Sequence, residues 1–486
     1  MLRRYLMLSF CALAALMSTA KVRLSHLISD HMILQQQTDV CLWGWAQPGQ
    51  TVKVTTRFFG KPVTQLAKAD TKGQWLVSVK TPKAGYKPYT ITFDDGQSIT
   101  TVSNVLVGEV WVCAGQSNME MPMKGFVNCP IEGYNQEVVE ARRHKAIHYV
   151  KIPGRMSMTP QADADCQWSE INPQTIGDCS ATGYFFAQTV NRTLDIPVGL
   201  VLANKGGTRI ESWLDRDYLK KHTQEPLDSM AMVKRFASDY HRPLLWGNGT
   251  FAPILNYTVK GILYYQGCSN VGDPAGQYTQ RLQALVEQWR RDFRQGQLPF
   301  YFVQIAPHWY DNRDGDWGAK LREQQYNASL VIPNSGIICT DDLVYPYESK
   351  QIHPARKRQV GERLAFQALN KTYGMKEIWC ESPSFKSMTI YNDTCYVRLQ
   401  NLYGAISRFN DIDGFEVAGA DKVFHKAKAW HYWISQPDPR NDAIAVFSPD
   451  VRQPLYVRYA FRNWGYGNMK NGALLPLFPF RTDKDE

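Results

Sequence analysis

The chain of 486 residues carries 55 Lys and Arg against 45 Asp and Glu, a formal net charge of +10, with 44% hydrophobic and 21% charged residues. That balance excludes wholesale disorder and fibrous repeats. At roughly 150 residues per domain the length predicts about two to four domains, each large enough to bury a core without disulfide or metal staples.

Residues 1–20 read as an export leader: Arg3 and Arg4 supply a positive start, Leu6 to Met17 is apolar, and Ser18-Thr19-Ala20 presents small residues for cleavage near Ala20. The apolar stretch is too short for a bilayer and no other run approaches that length. The reading is an exported protein, periplasmic or secreted, without a membrane span. The remaining positive excess is diffuse. Its densest clusters, Arg142-Arg143-His144-Lys145, Arg290-Arg291 and Arg356-Lys357-Arg358, fall on helical patterns and read as solvated faces, so no nucleic-acid partner is expected. Nothing in the pattern specifies an oligomeric state.

From 21 to 103 the signals are short strands and turns. Val40 to Trp45 is apolar, Thr51 to Thr55 alternates with period two, and Asp95-Gly96 offers a hairpin turn, which together predict a small β-sandwich. From 104 to 375 strands alternate with helices. Apolar strands at Val105 to Ala114, Val198 to Leu202, Gly261 to Tyr265, Phe300 to Ala306 and Gly336 to Thr340 are separated by helical stripes such as Tyr278, Leu282, Leu285, Val286 and Trp289. This predicts an α/β domain, a doubly wound parallel sheet with functional groups at the carboxyl ends of its strands. From 376 to 486 helical periodicity disappears, and a C-terminal β-rich domain is expected. Ten cysteines include Cys11 in the leader. The odd remainder leaves at least one unpaired, and one bridge is expected among Cys129, Cys166 and Cys179. No Cys or His spacing would hold a metal, so neither metal nor cofactor is expected.

Four strand ends carry candidate chemistry. Ser117, in Gly115-Gln116-Ser117-Asn118-Met119, follows an apolar strand and precedes a helix start, as a nucleophile or a simple helix cap would. Gly206-Gly207 can bring backbone N–H groups to an oxyanion, or merely make a tight turn. Asn270, in Tyr265-Gln266-Gly267-Cys268-Ser269-Asn270, could donate to the same oxyanion or cap a turn. His353-Pro354 places an imidazole before the closing helix, where a base would reach the first strand's serine. Their joint occurrence at successive strand ends is far less expected by accident than any one alone.

These segments, "GQSNM" at 115–119, "GGTRIESW" at 206–213, "YQGCSN" at 265–270 and "IHP" at 352–354, resemble the sialate O-acetylesterase family of the SGNH-hydrolase superfamily, which is related to acetylxylan esterases. "HMILQQ" at 31–36 and "LPLFPFRTD" at 475–483 extend the resemblance over most of the chain. It implies an SGNH-type hydrolase domain flanked by β-rich domains and an enzyme releasing acetyl groups from O-acetylated carbohydrate through an acetyl-serine. Ser117 would be the nucleophile and His353 its base. The N–H groups of Ser117 and Gly207 (or Gly206), with the Asn270 amide, would form the oxyanion hole, and Gln116, Arg209 and Gln266 would contact substrate. The resemblance fails in two places. Cys268 stands where the family often has Glu, and Lys350 and Gln351 stand where an acid would orient the histidine. That leaves Gln351, Glu348, a backbone carbonyl, Asp341 or Asp342 as orienter. O-acetylated sialic acid is the expected substrate. An acetylated plant polysaccharide, a non-catalytic glycan-binding role and a Cys268 thiol nucleophile are the competing readings.

Overall fold

A computed structural model describes residues 21–144, 146–404 and 411–483. The leader expected at 1–20 lies outside the described residues. The organising element is one 17-residue strand, Ile99–Gly115. Its first half pairs antiparallel with Gly85–Asp94 and parallel with Ile33–Gln35, within the β-rich N-terminal region. Its second half pairs parallel with Val198–Asn204 on one side and Gly261–Tyr265 on the other. The boundary anticipated near 103 therefore falls inside a continuous strand. The N-terminal strands are rigidly coupled to the centre of the α/β sheet.

That sheet runs Trp168–Glu170, Ile147–Lys151, Val198–Asn204, Ile99–Gly115, Gly261–Tyr265, Phe300–Val303, Ser335–Ile338, all parallel except the first strand. Period-two alternation sorts its side chains onto two cores. Val110, Val112, Ala114, Ile262 and Tyr264 pack beneath the helix Gln277–Phe293, whose Tyr278, Leu282, Leu285, Val286 and Trp289 form the buried stripe. Trp111, Cys113, Leu263 and Tyr265 face the opposite layer, the helices Ala181–Leu194 and Lys357–Gln367. Those two helices touch so closely that any side chain at Gly361 would meet the Phe185 Cβ at 2.6 Å. The protein is thus a mixed α/β structure with helices on both faces of a large, mainly parallel sheet, as the alternation predicts.

The C-terminal region forms two four-stranded antiparallel sheets, one centred on Thr394–Gln400 and Ala443–Phe447, the other on Phe415–Ala418 and Tyr456–Tyr459. They enclose a separate core of Val397, Ile444, Val446, Phe415, Val457 and Tyr459. Polar ties bind this region to the α/β part: Lys470 to Asp342 at 2.7 Å, and the Arg322 guanidinium to the Arg462 carbonyl at 2.6 Å. The expected disulfide is absent. All nine described cysteines carry free thiols, Cys129, Cys166 and Cys179 among them.

Candidate active site

Parallel pairing sets Asn204, Gly115 and Tyr265 abreast at the carboxyl edge of three adjacent strands. The turns that follow them are therefore side by side, the place where open α/β sheets bind ligands. Gly115 makes the first turn possible. Its φ is +131°, and a Cβ there would lie 2.3 Å from the Tyr265 carbonyl oxygen. The chain then enters the short helix Ser117–Glu120 with Ser117 half-buried at its first position.

The glycine turn closes on this serine. A Cβ built on Gly206 would meet the Ser117 Cβ at 3.2 Å, so the two backbones are in contact. The Gly206 N–H donates to Glu120 Oε2 at 2.5 Å and is spent inside the fold. Gly207, at φ +77°, has no protein acceptor for its N–H among the described residues, and neither does Ser117. Two backbone donors thus remain beside the Ser117 hydroxyl.

Asn270 is fully buried, and its orientation is dictated from both ends. Its Oδ1 accepts from the Ile210 N–H at 3.0 Å and from Gln266 Nε2 at 2.8 Å, so its Nδ2 must face the other way. There it donates to Glu211 at 3.1 Å and to Asp273 at 2.9 Å. Both amide hydrogens expected at an oxyanion are committed to carboxylates. The same carboxylates bind Arg209, which donates to Asp273 at 2.9 Å and to Glu211 at 3.2 Å, and Arg281. The buried Arg281 and Glu211 and the partly buried Arg209 and Asp273 neutralise one another, as burial of charge demands. Arg209 is therefore a member of this cluster before it is a substrate contact.

The two glutamines expected at substrate take other roles. Gln116 is buried and its Oε1 accepts from the Gly267 N–H at 2.8 Å, stitching the serine turn to the third turn. Gln266 donates to the Thr208 carbonyl at 3.0 Å and accepts from the Tyr278 hydroxyl at 2.8 Å. Their polarity supports the strand ends rather than an open sugar site.

The histidine loop is tied to the serine turn by Asn118, whose Nδ2 donates to the Ile352 carbonyl at 2.9 Å. His353 Nε2 is buried with no hydrogen-bond partner among the described residues. Its Nδ1 faces the Cys129 sulfur at 3.9 Å, and Phe126 packs edge-on at 5.3 Å between ring centroids. Among the described residues no carboxylate takes Nδ1. Gln351 Oε1 accepts from the His353 backbone N–H at 3.3 Å, not from the ring. Glu348 accepts from the Tyr345 and Ala355 N–H groups, each at 2.9 Å, which shapes the loop without reaching the imidazole. Asp342 is paired with Arg363 and Lys470, and Asp341 faces Arg322 at 3.7 Å.

Burial, with the positive charges of Lys357 and His308, pulls the His353 pKa down to about 4. Lys357 is itself buried behind the loop. Desolvation pushes its ammonium down to about 7 against the pull of Glu348, and it donates to the Pro354 carbonyl at 2.6 Å. Burial drives the Cys268 thiol the opposite way from a nucleophile's, up to about 11. Cys129, Asn118, Glu120 and the Glu211–Arg281 pair are the site residues that motif reading missed. Of these, Asn118 and Glu211 lay within motifs already singled out, "GQSNM" and "GGTRIESW".

A mainly parallel sheet with serine, glycine and histidine turns gathered at its carboxyl edge defines the class: an α/β protein of hydrolase type carrying additional β-rich regions. The family of carbohydrate esterases described as sialic acid-specific acetylesterases matches residues 107–370. Sialate O-acetylesterase of Homo sapiens is 30% identical over 396 residues, covering 74% of this chain and 73% of that protein. The Mus musculus sialate O-acetylesterase is 27% identical over 502 residues, covering 91% and 90%. The crystal structure of a carbohydrate acetylesterase from Xanthomonas citri superposes with a TM-score of 0.82 at 31% identity, covering 96% of this chain and 100% of that one. The chain belongs to this carbohydrate esterase family, and it is an esterase that removes acetyl groups from carbohydrate.

Proposed function

We propose that this protein is an exported SGNH-type esterase that releases acetate from O-acetylated sialic acid by way of an acetyl-Ser117 intermediate. The Ser117 oxygen attacks the acetyl carbonyl carbon while His353 Nε2 takes its proton. The resulting oxyanion is held by the N–H groups of Ser117 and Gly207. Collapse breaks the bond to the sugar oxygen, which leaves as an alcohol carrying the proton from His353. Water then attacks acetyl-Ser117 with the same base, releasing acetate and restoring the serine. Asn270 serves this hole by bonding the Ile210 N–H at the far end of the glycine turn, so that the turn is held in place. The observation that supports the reading is that Ser117 and Gly207 keep unused N–H groups in adjoining turns, and that the His353 loop, with Nε2 unpartnered among the described residues, is tied to the serine turn through Asn118. Ser117 and His353 are not hydrogen-bonded to each other here, and such bonds tighten when substrate arrives.

The absence of a carboxylate on Nδ1 makes this a dyad. Ring orientation comes from Cys129, Phe126 and the Gln351-braced backbone, while the imidazolium formed during attack has no neighbouring negative charge. The test is acetate release from 9-O-acetylated sialic acid beside acetylated xylan. Ser117→Ala should abolish release while the protein stays folded. Retention of even a tenth of the turnover removes Ser117 from the mechanism, and faster release from xylan moves the substrate to neutral polysaccharide.

A further inference from the structure

We infer that Lys205, with the rings of Tyr240 and Trp246, forms the subsite that receives the sugar of an acidic substrate, Lys205 pairing with the sugar carboxylate. This rests on the reading that Ser117 and Gly207 hold the scissile acetyl group. Lys205 directly precedes the two glycines, and its backbone N–H donates to the Gly115 carbonyl at 3.0 Å, which fixes it against the serine turn. Tyr240 lies on the other side of the same turn. A Cβ on Gly207 would meet the Tyr240 ring at 3.2 Å, so this ring borders the oxyanion donor. Tyr240 is 40% exposed and offset-stacked on Trp246, with centroids 6.1 Å apart and planes at 22°. Tyr240, backed by the buried Trp246, presents flat apolar area of the kind that accepts the C–H face of a sugar ring.

The lysine stem runs past Gly154, where any Cβ would touch its Cδ at 3.2 Å and Trp246 at 3.4 Å. The ammonium ends 5.4 Å from the Tyr240 centroid and 5.5 Å from that of Trp246. It lies over the two rings, and among the described residues it makes no ion pair. The other cation of the same turn differs: Arg209 is held by Glu211 and Asp273. Lys205 thus combines contact with the serine-turn backbone, a flanking aromatic pair and a charge that no carboxylate among the described residues pairs. Such a site favours a sugar carrying a carboxylate over a neutral one, because a charge-assisted hydrogen bond is about twice as strong as a neutral one.

The experiment compares acetate release from an O-acetylated sialic acid with release from its carboxamide, in which the same sugar has lost its charge. The readout is the ratio of the two kcat/KM values. Being internal to each variant, that ratio cancels any general change in activity or folded fraction. The wild type should prefer the acid about tenfold or more, through KM, equivalent to ~1.4 kcal/mol. Lys205→Met should bring the ratio to about one, and Lys205→Arg should keep most of it. Lys350, whose ammonium lies 4.8 Å over the Trp309 ring on the histidine side, is the control. A wild-type ratio near one, a ratio that survives Lys205→Met, or a ratio lost in Lys350→Met instead would each overturn the assignment. Failure of the Ser117 reading shows separately, as acetate release persisting in Ser117→Ala while these ratios stay intact.

Discussion

Around Asn270 the polar atoms are matched: its oxygen takes two N–H donors, its nitrogen serves two carboxylates, and those carboxylates neutralise Arg209 and Arg281. Around His353, on the facing loop, the matching stops. One ring nitrogen has no partner among the described residues, the other has a thiol at 3.9 Å, and burial, Lys357 and His308 all oppose protonation. The first region is built to hold a backbone turn still, and buried charge is tolerated there because it is fully paired. The second is built to keep a base neutral, and it does so by withholding the carboxylate that would charge it. Within one site, rigidity comes from electrostatic completeness and reactivity from its lack.

The comparison breaks most visibly at the base. His353→Ala should lower kcat by about three orders of magnitude or more, with the residue coming from the backbone donors and acetyl positioning. A loss under tenfold would mean that another group takes the serine proton. The next effect is at Asn270. Asn270→Ala removes the amide that Glu211 and Asp273 accept from beside Arg209 and Arg281, and it frees the buried Ile210 N–H, so melting temperature and kcat should fall together, with about 1–3 kcal/mol of stability lost. A drop of about 10²–10³ in kcat with an unchanged melting temperature would instead return Asn270 to direct oxyanion binding.

The pH profile sharpens the contrast. With His353 neutral down to about pH 4, kcat/KM should stay level through mildly acidic pH and fall only near 4. The same depression has a stability consequence. The unfolded histidine titrates near its ordinary value of about 6.5, so this residue's contribution is present above that pH and is lost progressively as pH falls toward 4. Cys129→Asp puts a carboxylate where the thiol faces Nδ1 and should move the acid limb upward by about 1–3 pH units. A limb that does not move would show that Cys129 does not face the catalytic ring in solution. The smallest effect is expected from Glu348→Gln, less than tenfold in kcat, because its oxygens serve the Tyr345 and Ala355 amides and not the imidazole. A thousandfold loss there would establish Glu348 as a working third member and end the dyad.

The sequence by itself determined the layered α/β core and the strand ends at which chemistry gathers. Both follow from local rules: period-two apolar runs, helical stripes, and Gly, Ser and Asn at turns. The four motifs were legible because each is a contiguous string. What only the tertiary structure decided is how those strings meet. Cys129, read as one of three candidates for a single bridge, is brought 224 residues across the chain to His353, and Glu211 and Arg281 close around Asn270 from separate segments. Gln116 and Gln266, polar residues beside a catalytic motif, turned inward because the ends of parallel strands need side-chain partners for the N–H and C=O groups that the sheet no longer pairs. Which polar side chain serves the fold and which is left for substrate depends on long-range pairing, and spacing along a single chain carries no record of it.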